Sequence, residues 1–223
     1  MMTHKTVQLT NMLRILYPIW MLMGILSIMY IPTTLIDLSD AASTAQNISD
    51  NIILYRLGIV GRLVTQLLYI LIPFLLYRLF RNNNSATAML MLILAVISIP
   101  IAMSSESLQV LVTTNLDAPS VIIGYLNMYN HIMNIAMIFW GLWLFPLGRL
   151  MYLHVQKTIG LLLYVAGFGY TMGSMFRIIT PDFATLNMIF EAMTVGEIVF
   201  ILYFVIRGIR PKDQTDSNIV STN

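Results

Sequence analysis

Residues 52–79 read IILYRLGIVGRLVTQLLYILIPFLLYRL, and this segment decides the fold class of the chain. Its charged residues are Arg56, Arg62 and Arg78, and the rest forms a nearly continuous apolar run. A helix of about 20 mostly apolar residues is long enough to cross the hydrocarbon of a membrane. The segment therefore predicts a membrane-spanning helix.

Working outward, the chain contains five more segments of the same kind. They are separated by stretches such as 37–50, which is rich in Asp, Ser, Thr and Asn, and RNNNS at 81–85. Such polar clusters end helices and form loops. The apolar piece 108–112 is too short to cross a membrane and is expected to lie at the interface. The six predicted spans are residues 14–36, 52–79, 86–103, 121–145, 158–179 and 187–209.

The composition supports this interpretation for the whole chain of 223 residues. Hydrophobic residues make up 58% of it and charged residues only 10%, whereas a soluble domain carries about 25% charged residues. We therefore expect an all-α membrane protein, a bundle of six transmembrane helices forming one domain over residues 1–210. The polar residues 211–223 are expected to be a disordered tail.

The basic residues predict the orientation. With six spans, nine of the twelve fall on the side that also holds both termini, and the loops on the other side contain no lysine. Positively charged loops stay in the cytoplasm, so both termini are expected to be cytoplasmic. The nine are Lys5, Arg14, Arg78, Arg81, Arg149, Lys157, Arg207, Arg210 and Lys212.

Ionisable residues inside the spans are the candidate functional residues, because a charge in hydrocarbon is costly and usually faces the protein interior. Arg62, His131 and Glu197 each lie about ten residues from the end of a predicted span, so they reach a similar depth. Polar residues accompany them at helical spacing. The resulting candidate ligand-binding set is Arg62, Gln66, Asn127, His131, Asn134 and Glu197.

Two interpretations of these residues stay open. Arg62 is expected to pair with Glu197, either as a structural ion pair that locks two helices together or as a pair that contacts a ligand. His131 is either a core residue bonded to the neighbouring asparagines or a group that handles protons or ligand. Gly169 and Gly173 form a GxxxG pattern, which favours close packing of helices within the monomer.

Several function classes lack their sequence signature. A net charge of +2 without a basic patch argues against a nucleic-acid partner, and the absence of cysteine removes thiolate chemistry. No HExxH, Walker A or GxSxG motif is present. We therefore predict no catalytic residue, no metal site and no cofactor. The expected partners are the lipid bilayer and a small-molecule ligand or a membrane-protein partner.

Several short motifs, in a fixed order, resemble an uncharacterised prokaryotic membrane family, domain of unknown function 4386. The resemblance runs from about residue 13 to 208 and implies a multi-pass protein of the bacterial plasma membrane, without implying an activity. Arg56, Glu197 and the 40–48 loop match recurrent patterns of that family. The motifs are DAASTAQNI at 40–48, YRLGIVGRL at 55–63, LLYRLF at 75–80, FWGLWLFPLGRLMY at 139–152, IGLLLYVAGFGYTMGSM at 159–175 and VGEIVF at 195–200.

Three functions remain open from the sequence. The favoured one is a non-catalytic component with a polar midplane site that binds lipid or a small ligand, senses, or joins a membrane-protein partner. The alternative is a small secondary transporter or channel-like carrier, which midplane charges and the prolines Pro73 and Pro100 would fit. A lesser alternative is an intramembrane enzyme.

Overall fold

The computed structural model describes residues 4–180 and 184–209, so the predicted disordered tail at 211–223 lies outside the described residues. The described part is helical and contains no strand. Its elements are α1 (His4–Gly24), a π-helix (Ile25–Tyr30), α2 (Ile31–Leu35), α3 (Ala41–Asp50), α4 (Ile52–Phe80), α5 (Ser85–Thr113), α6 (Pro119–Leu142), α7 (Leu144–His154), α8 (Lys157–Ile179) and α9 (Ala184–Arg207).

Six helical segments of the described chain are long and apolar enough to cross a membrane, which confirms the predicted fold class. Their positions match the sequence prediction, with three segments longer than expected, the first of which already begins at Thr6. The third continues to Thr113 and the fourth to His154. The six are Thr6–Leu35, Ile52–Phe80, Ser85–Thr113, Pro119–His154, Lys157–Ile179 and Thr185–Arg207.

The last ten residues of α5 explain why the third span is longer. The stretch 104–113 reads SSESLQVLVT, and its polar residues suggested a loop. In the helix, the hydroxyls of Ser104, Ser105 and Ser107 each donate to the backbone carbonyl three residues earlier, at 2.7–2.8 Å. Serine hydroxyls bonded in this way need no water. The segment can therefore stay helical and carry Glu106 inside the span.

The described residues divide into two compact units. Unit 1 holds 4–17, 71–97, 137–180 and 184–209, and unit 2 holds 18–70 and 98–136.

In unit 2, the predicted loop 37–50 contains the helix α3, whose apolar side is buried. Asp40 caps its first turn by accepting a hydrogen bond from the Ser43 backbone N–H at 2.9 Å. Thr44 is fully buried, and its hydroxyl donates to the Asp37 carbonyl and accepts from the Asp37 backbone N–H. Ile48 packs in one apolar cluster with Ile31, Leu35, Tyr55, Ile59, Val112, Ile122 and Leu126.

In unit 1, glycines bring α8 against its neighbours. A Cβ at Gly160 would lie 2.6 Å from the Gly148 carbonyl oxygen of α7. A Cβ at Gly169 would lie 2.7 Å from the Met193 Cβ of α9, and one at Gly173 would lie 2.9 Å from the Phe190 Cβ. Real Cβ atoms do not approach so closely, so these helices contact each other through backbone. The prediction that Gly169 and Gly173 pack helices within the monomer is confirmed.

Candidate functional site

The π-helix Ile25–Tyr30 lies beside α4 in unit 2 and presents a backbone carbonyl to Arg62. A Cβ at Gly61 would lie 2.9 Å from the Ser27 Cβ, so Gly61 allows the close approach. Arg62 Nη1 donates to the Ser27 carbonyl oxygen at 3.1 Å. A π-helix interrupts the regular α-helical hydrogen bonds and is frequent at functional sites. Arg62 therefore satisfies a backbone group at this interruption.

Arg62 also forms a buried ion pair with Glu106 of α5. Its Nε donates to both carboxylate oxygens, at 3.0 Å to Oε1 and 2.9 Å to Oε2. The side chains are only 3% and 5% exposed. Charges buried this deeply persist when they are paired and hydrogen-bonded.

This finding corrects the expectation that Glu197 is the partner of Arg62. The predicted third span, residues 86–103, leaves Glu106 in the outer loop that follows it. Because α5 continues to Thr113, Glu106 lies inside the span instead. The sequence signal for this longer span is the apolar piece 108–112, because Leu108 and Val112 are buried on the same helix as Glu106.

Aromatic residues and an amide complete the surroundings of the pair. The Tyr129 hydroxyl of α6 donates to Glu106 Oε1 at 3.4 Å, and the Arg62 guanidinium carbon lies 5.6 Å from the centre of the Tyr129 ring. The Tyr55 hydroxyl donates to Gln109 Oε1, and both side chains are buried. Three helices of unit 2 are thus tied together by polar contacts.

Arg62 Nη2 and Gln66 Oε1 of α4 are buried polar atoms that lack a hydrogen-bond partner among the described residues. The residues are 3% and 5% exposed and lie one helical turn apart. One atom is a donor and the other an acceptor, so a single water or ligand hydroxyl could satisfy both.

The predicted residues of the fourth span lie on another side of α6 from Tyr129. Asn127 and His131 are exposed, and Asn134 is partly buried. The buried side of this helix within unit 2 holds Ile122 and Leu126 instead. The structure therefore places Arg62 and Gln66 together on the buried side of α4. Asn127, His131 and Asn134 lie together on a less buried side of α6.

Glu197 belongs to unit 1, where it is partly buried on α9. Its carboxylate accepts a hydrogen bond from the Tyr170 hydroxyl of α8. Next to it, Gly196 contacts the Leu162 backbone so closely that a Cβ would overlap with that carbonyl. The glycine explains why Tyr170 and Glu197 can meet between the two helices.

Tyr170 also lines a small pocket between α8 and α9, which the sequence analysis missed. Its volume is about 130 Å³. Arg177 Nη2 and Glu191 Oε1 form an ion pair at 2.7 Å, with side chains 26% and 63% exposed. The lining residues are Met137, Gly169, Tyr170, Arg177, Phe190, Glu191 and Thr194.

The fold and geometry explain two of the short motifs as structural. In DAASTAQNI, Asp40 caps α3 and Ile48 enters the apolar cluster. In YRLGIVGRL, Tyr55 binds Gln109, Gly61 admits the π-helix and Arg62 binds Glu106.

Comparison with known proteins assigns the chain to a family. No curated protein and no solved structure matches it. A family profile matches residues 15–208, which is most of the chain. The chain therefore belongs to the family described as domain of unknown function (DUF4386).

Proposed function

We propose that the protein is a non-catalytic membrane component that binds a lipid headgroup or a small ligand of the same chemistry in the α8–α9 pocket. The observation that carries the proposal is the pocket itself. It combines an acid, a base, two hydroxyls and two aromatic rings in about 130 Å³. That volume suits a headgroup fragment, not a large substrate.

The charges at the pocket favour a zwitterionic ligand that carries an amine and a phosphate. Arg177 would bind the phosphate and Glu191 the ammonium group. Because both side chains are partly exposed, their mutual ion pair is worth only about 0–1 kcal/mol. A ligand can therefore exchange that contact for two new ones at little cost.

The position of the pocket along the helices suits a phospholipid. Arg177 lies two residues before the end of α8 at Ile179, which is the level of lipid headgroups in a spanning helix. With both termini in the cytoplasm, this end of α8 faces the outer leaflet. We further propose, from the family resemblance, that the membrane is the plasma membrane of a bacterium.

Native mass spectrometry of the detergent-solubilised protein tests the proposal with phosphatidylethanolamine as the probe. We expect a retained adduct that the double variant Arg177→Gln/Glu191→Gln loses. The matched control is Asp50→Asn/Arg56→Gln, which also removes one acid and one base from exposed positions. That control should retain the adduct.

Two further probes distinguish a membrane lipid from a water-soluble compound as the ligand. Water-soluble glycerophosphoethanolamine carries the same headgroup without acyl chains, and phosphatidylglycerol carries a phosphate without an amine. Retention of the soluble compound alone would indicate a small-molecule site. Equal retention of every lipid by the wild type and the pocket variant would overturn the proposal.

A small secondary transporter is the second candidate, and one observation favours it. The π-helix interrupts the first span directly beside Arg62, whose Nη2 lacks a partner, as does Gln66 Oε1. Transporters place substrate sites at such interruptions. If wild-type proteoliposomes take up no amine-bearing headgroup compound down an imposed gradient, the transporter candidate is excluded. That result would not affect the headgroup-binding proposal.

A further inference from the structure

One surface of α6 carries polar side chains in the middle of a span. Asn127, Asn130 and His131 are exposed, and they make no hydrogen bond to any residue that the structure describes. The helix runs from Pro119 to Leu142, so these residues lie near its centre. Hydrocarbon cannot satisfy amide or imidazole groups. The surface therefore requires a polar partner at this depth.

Gly124 lies on the same surface and leaves room for that partner. Residues 124, 127 and 131 are spaced by three and four, which places them on one stripe of a helix. A Cβ added at Gly124 would meet no atom within 4 Å. Small residues that allow close approach, together with polar residues that bond across, are the features by which helices associate in membranes.

We propose that this stripe, Gly124, Asn127 and His131, binds the same stripe of a second copy of the chain. An amide carries both a donor and an acceptor, and so does a neutral imidazole. Two identical stripes facing each other across a two-fold axis can therefore satisfy one another. Asparagine and glycine carry no charge, so two copies approach without fixed like charges.

The other occupants fit this surface less well. A lipid headgroup carries suitable groups but lies at the membrane surface, whereas Asn127 and His131 lie near the middle of the helix. The pocket between α8 and α9 is lined from α6 by Met137 and includes none of the stripe residues. The interface inferred here is thus independent of the headgroup proposal.

Cysteine cross-linking tests the interface directly, because the chain contains no cysteine of its own. The variant Asn127→Cys, oxidised in proteoliposomes, should give a covalent dimer. The matched control is Leu67→Cys on α4, an apolar position that is 51% exposed and lies near the middle of its helix. Equal cross-linking at both positions would indicate random collision and overturn the proposal.

A second variant separates association from folding. Gly124→Leu should fit the monomer, since its Cβ meets no atom within 4 Å, but should block the facing copy. In single-molecule photobleaching of nanodiscs loaded at low protein density, we expect at least a tenfold weaker dimer with an unchanged Tm. A wild type that stays monomeric, or a dimer unaffected by Gly124→Leu, would refute the interface.

Discussion

Arg62 and Glu106 form a buried ion pair between α4 and α5, with the guanidinium Nε bonded to both carboxylate oxygens at 3.0 and 2.9 Å. The same guanidinium donates to the Ser27 carbonyl, where the π-helix interrupts the first span. One side chain thus connects three helical segments of unit 2. Its role follows from these bonds: it holds the π-helix and α5 to α4.

The first prediction concerns this pair. Glu106→Gln and Arg62→Met should each lower the free energy of unfolding by about 3–5 kcal/mol, because each leaves a buried polar group without its partner. The double variant Arg62→Met/Glu106→Gln should recover a large part of the Glu106→Gln loss. Equilibrium unfolding in mixed detergent micelles measures all three.

The exposed pair in unit 1 is the control. Removing the charge with Arg177→Gln should change the free energy of unfolding by less than about 1 kcal/mol, because that pair is screened at the surface. If the double variant at residues 62 and 106 is no more stable than the weaker single variant, the two residues are not coupled and the assignment fails.

The fold was largely predictable, because six apolar runs of sufficient length leave a helical membrane protein as the consistent solution. The end of the third span was not. Judged by hydrophobicity alone, the stretch SSES at 104–107 is polar and predicts a loop. In the structure, three serine hydroxyls donate to backbone carbonyls of α5, so the stretch stays helical. Glu106 was assigned to a loop for that reason.

The site was predictable only in part. Burial of Arg62 and Gln66 followed from their place on one polar stripe of α4, because polar side chains inside a span usually face the protein interior. The α8–α9 pocket was not predictable, because it depends on the close approach of backbone at Gly169 and Gly196, which a pattern along one chain does not reveal. The spacing of residues along a helix does not say which side of α6 faces the protein interior. His131 was therefore expected to face the interior, whereas the structure leaves it exposed.

The second prediction concerns Gly141, which faces α8. A Cβ there would overlap with the Thr171 hydroxyl and lie 2.7 Å from the Gly167 carbonyl oxygen, so Gly141→Ala should lower the Tm by several degrees. Gly24→Ala is the control, since its Cβ would meet Thr65 Cγ2 at an ordinary 3.9 Å. A Tm for Gly141→Ala at or above that of the control would show that α6 and α8 can separate without cost.

The third prediction concerns the pH response of Asp37, which lies outside the spans. The Ser39 hydroxyl donates to its carboxylate at 2.6 Å and the Ser39 backbone N–H at 2.9 Å, and these bonds lower the pKa of Asp37. Because the pKa of Asp37 is lower in the folded protein than in the unfolded chain, the ionised carboxylate stabilises the loop at pH values above its ordinary pKa. This contribution is lost as the pH falls through the pKa of the folded protein.

Carboxyl NMR of protein labelled at aspartate measures this pKa. Ser39→Ala should raise it, because the hydroxyl bond is the larger cause. Ser49→Ala, an exposed serine on α3, should leave it unchanged. An identical Asp37 titration in the wild type and in Ser39→Ala would rule out the hydroxyl bond as the cause.

The fourth prediction concerns Thr44, whose hydroxyl bonds both the N–H and the carbonyl of Asp37. Thr44→Val keeps the shape but leaves both backbone groups unpaired, at a cost of about 1–3 kcal/mol. Hydrogen exchange of residues 37–50 should accelerate about tenfold or more. Thr44→Ser keeps the hydroxyl and should stay near wild type. Equal exchange in both variants would show that the two hydroxyl bonds do not hold this segment.

The fifth prediction concerns orientation, which follows from the distribution of basic residues and the even number of spans. Single cysteines at Ser49 and Asp117 should react with a membrane-impermeant maleimide applied to intact cells, and one at Asn82 should react only after the membrane is opened. All three positions are exposed, so accessibility within the protein does not limit labelling. Labelling of Asn82→Cys from outside would reverse the topology and place the headgroup pocket between α8 and α9 in the inner leaflet.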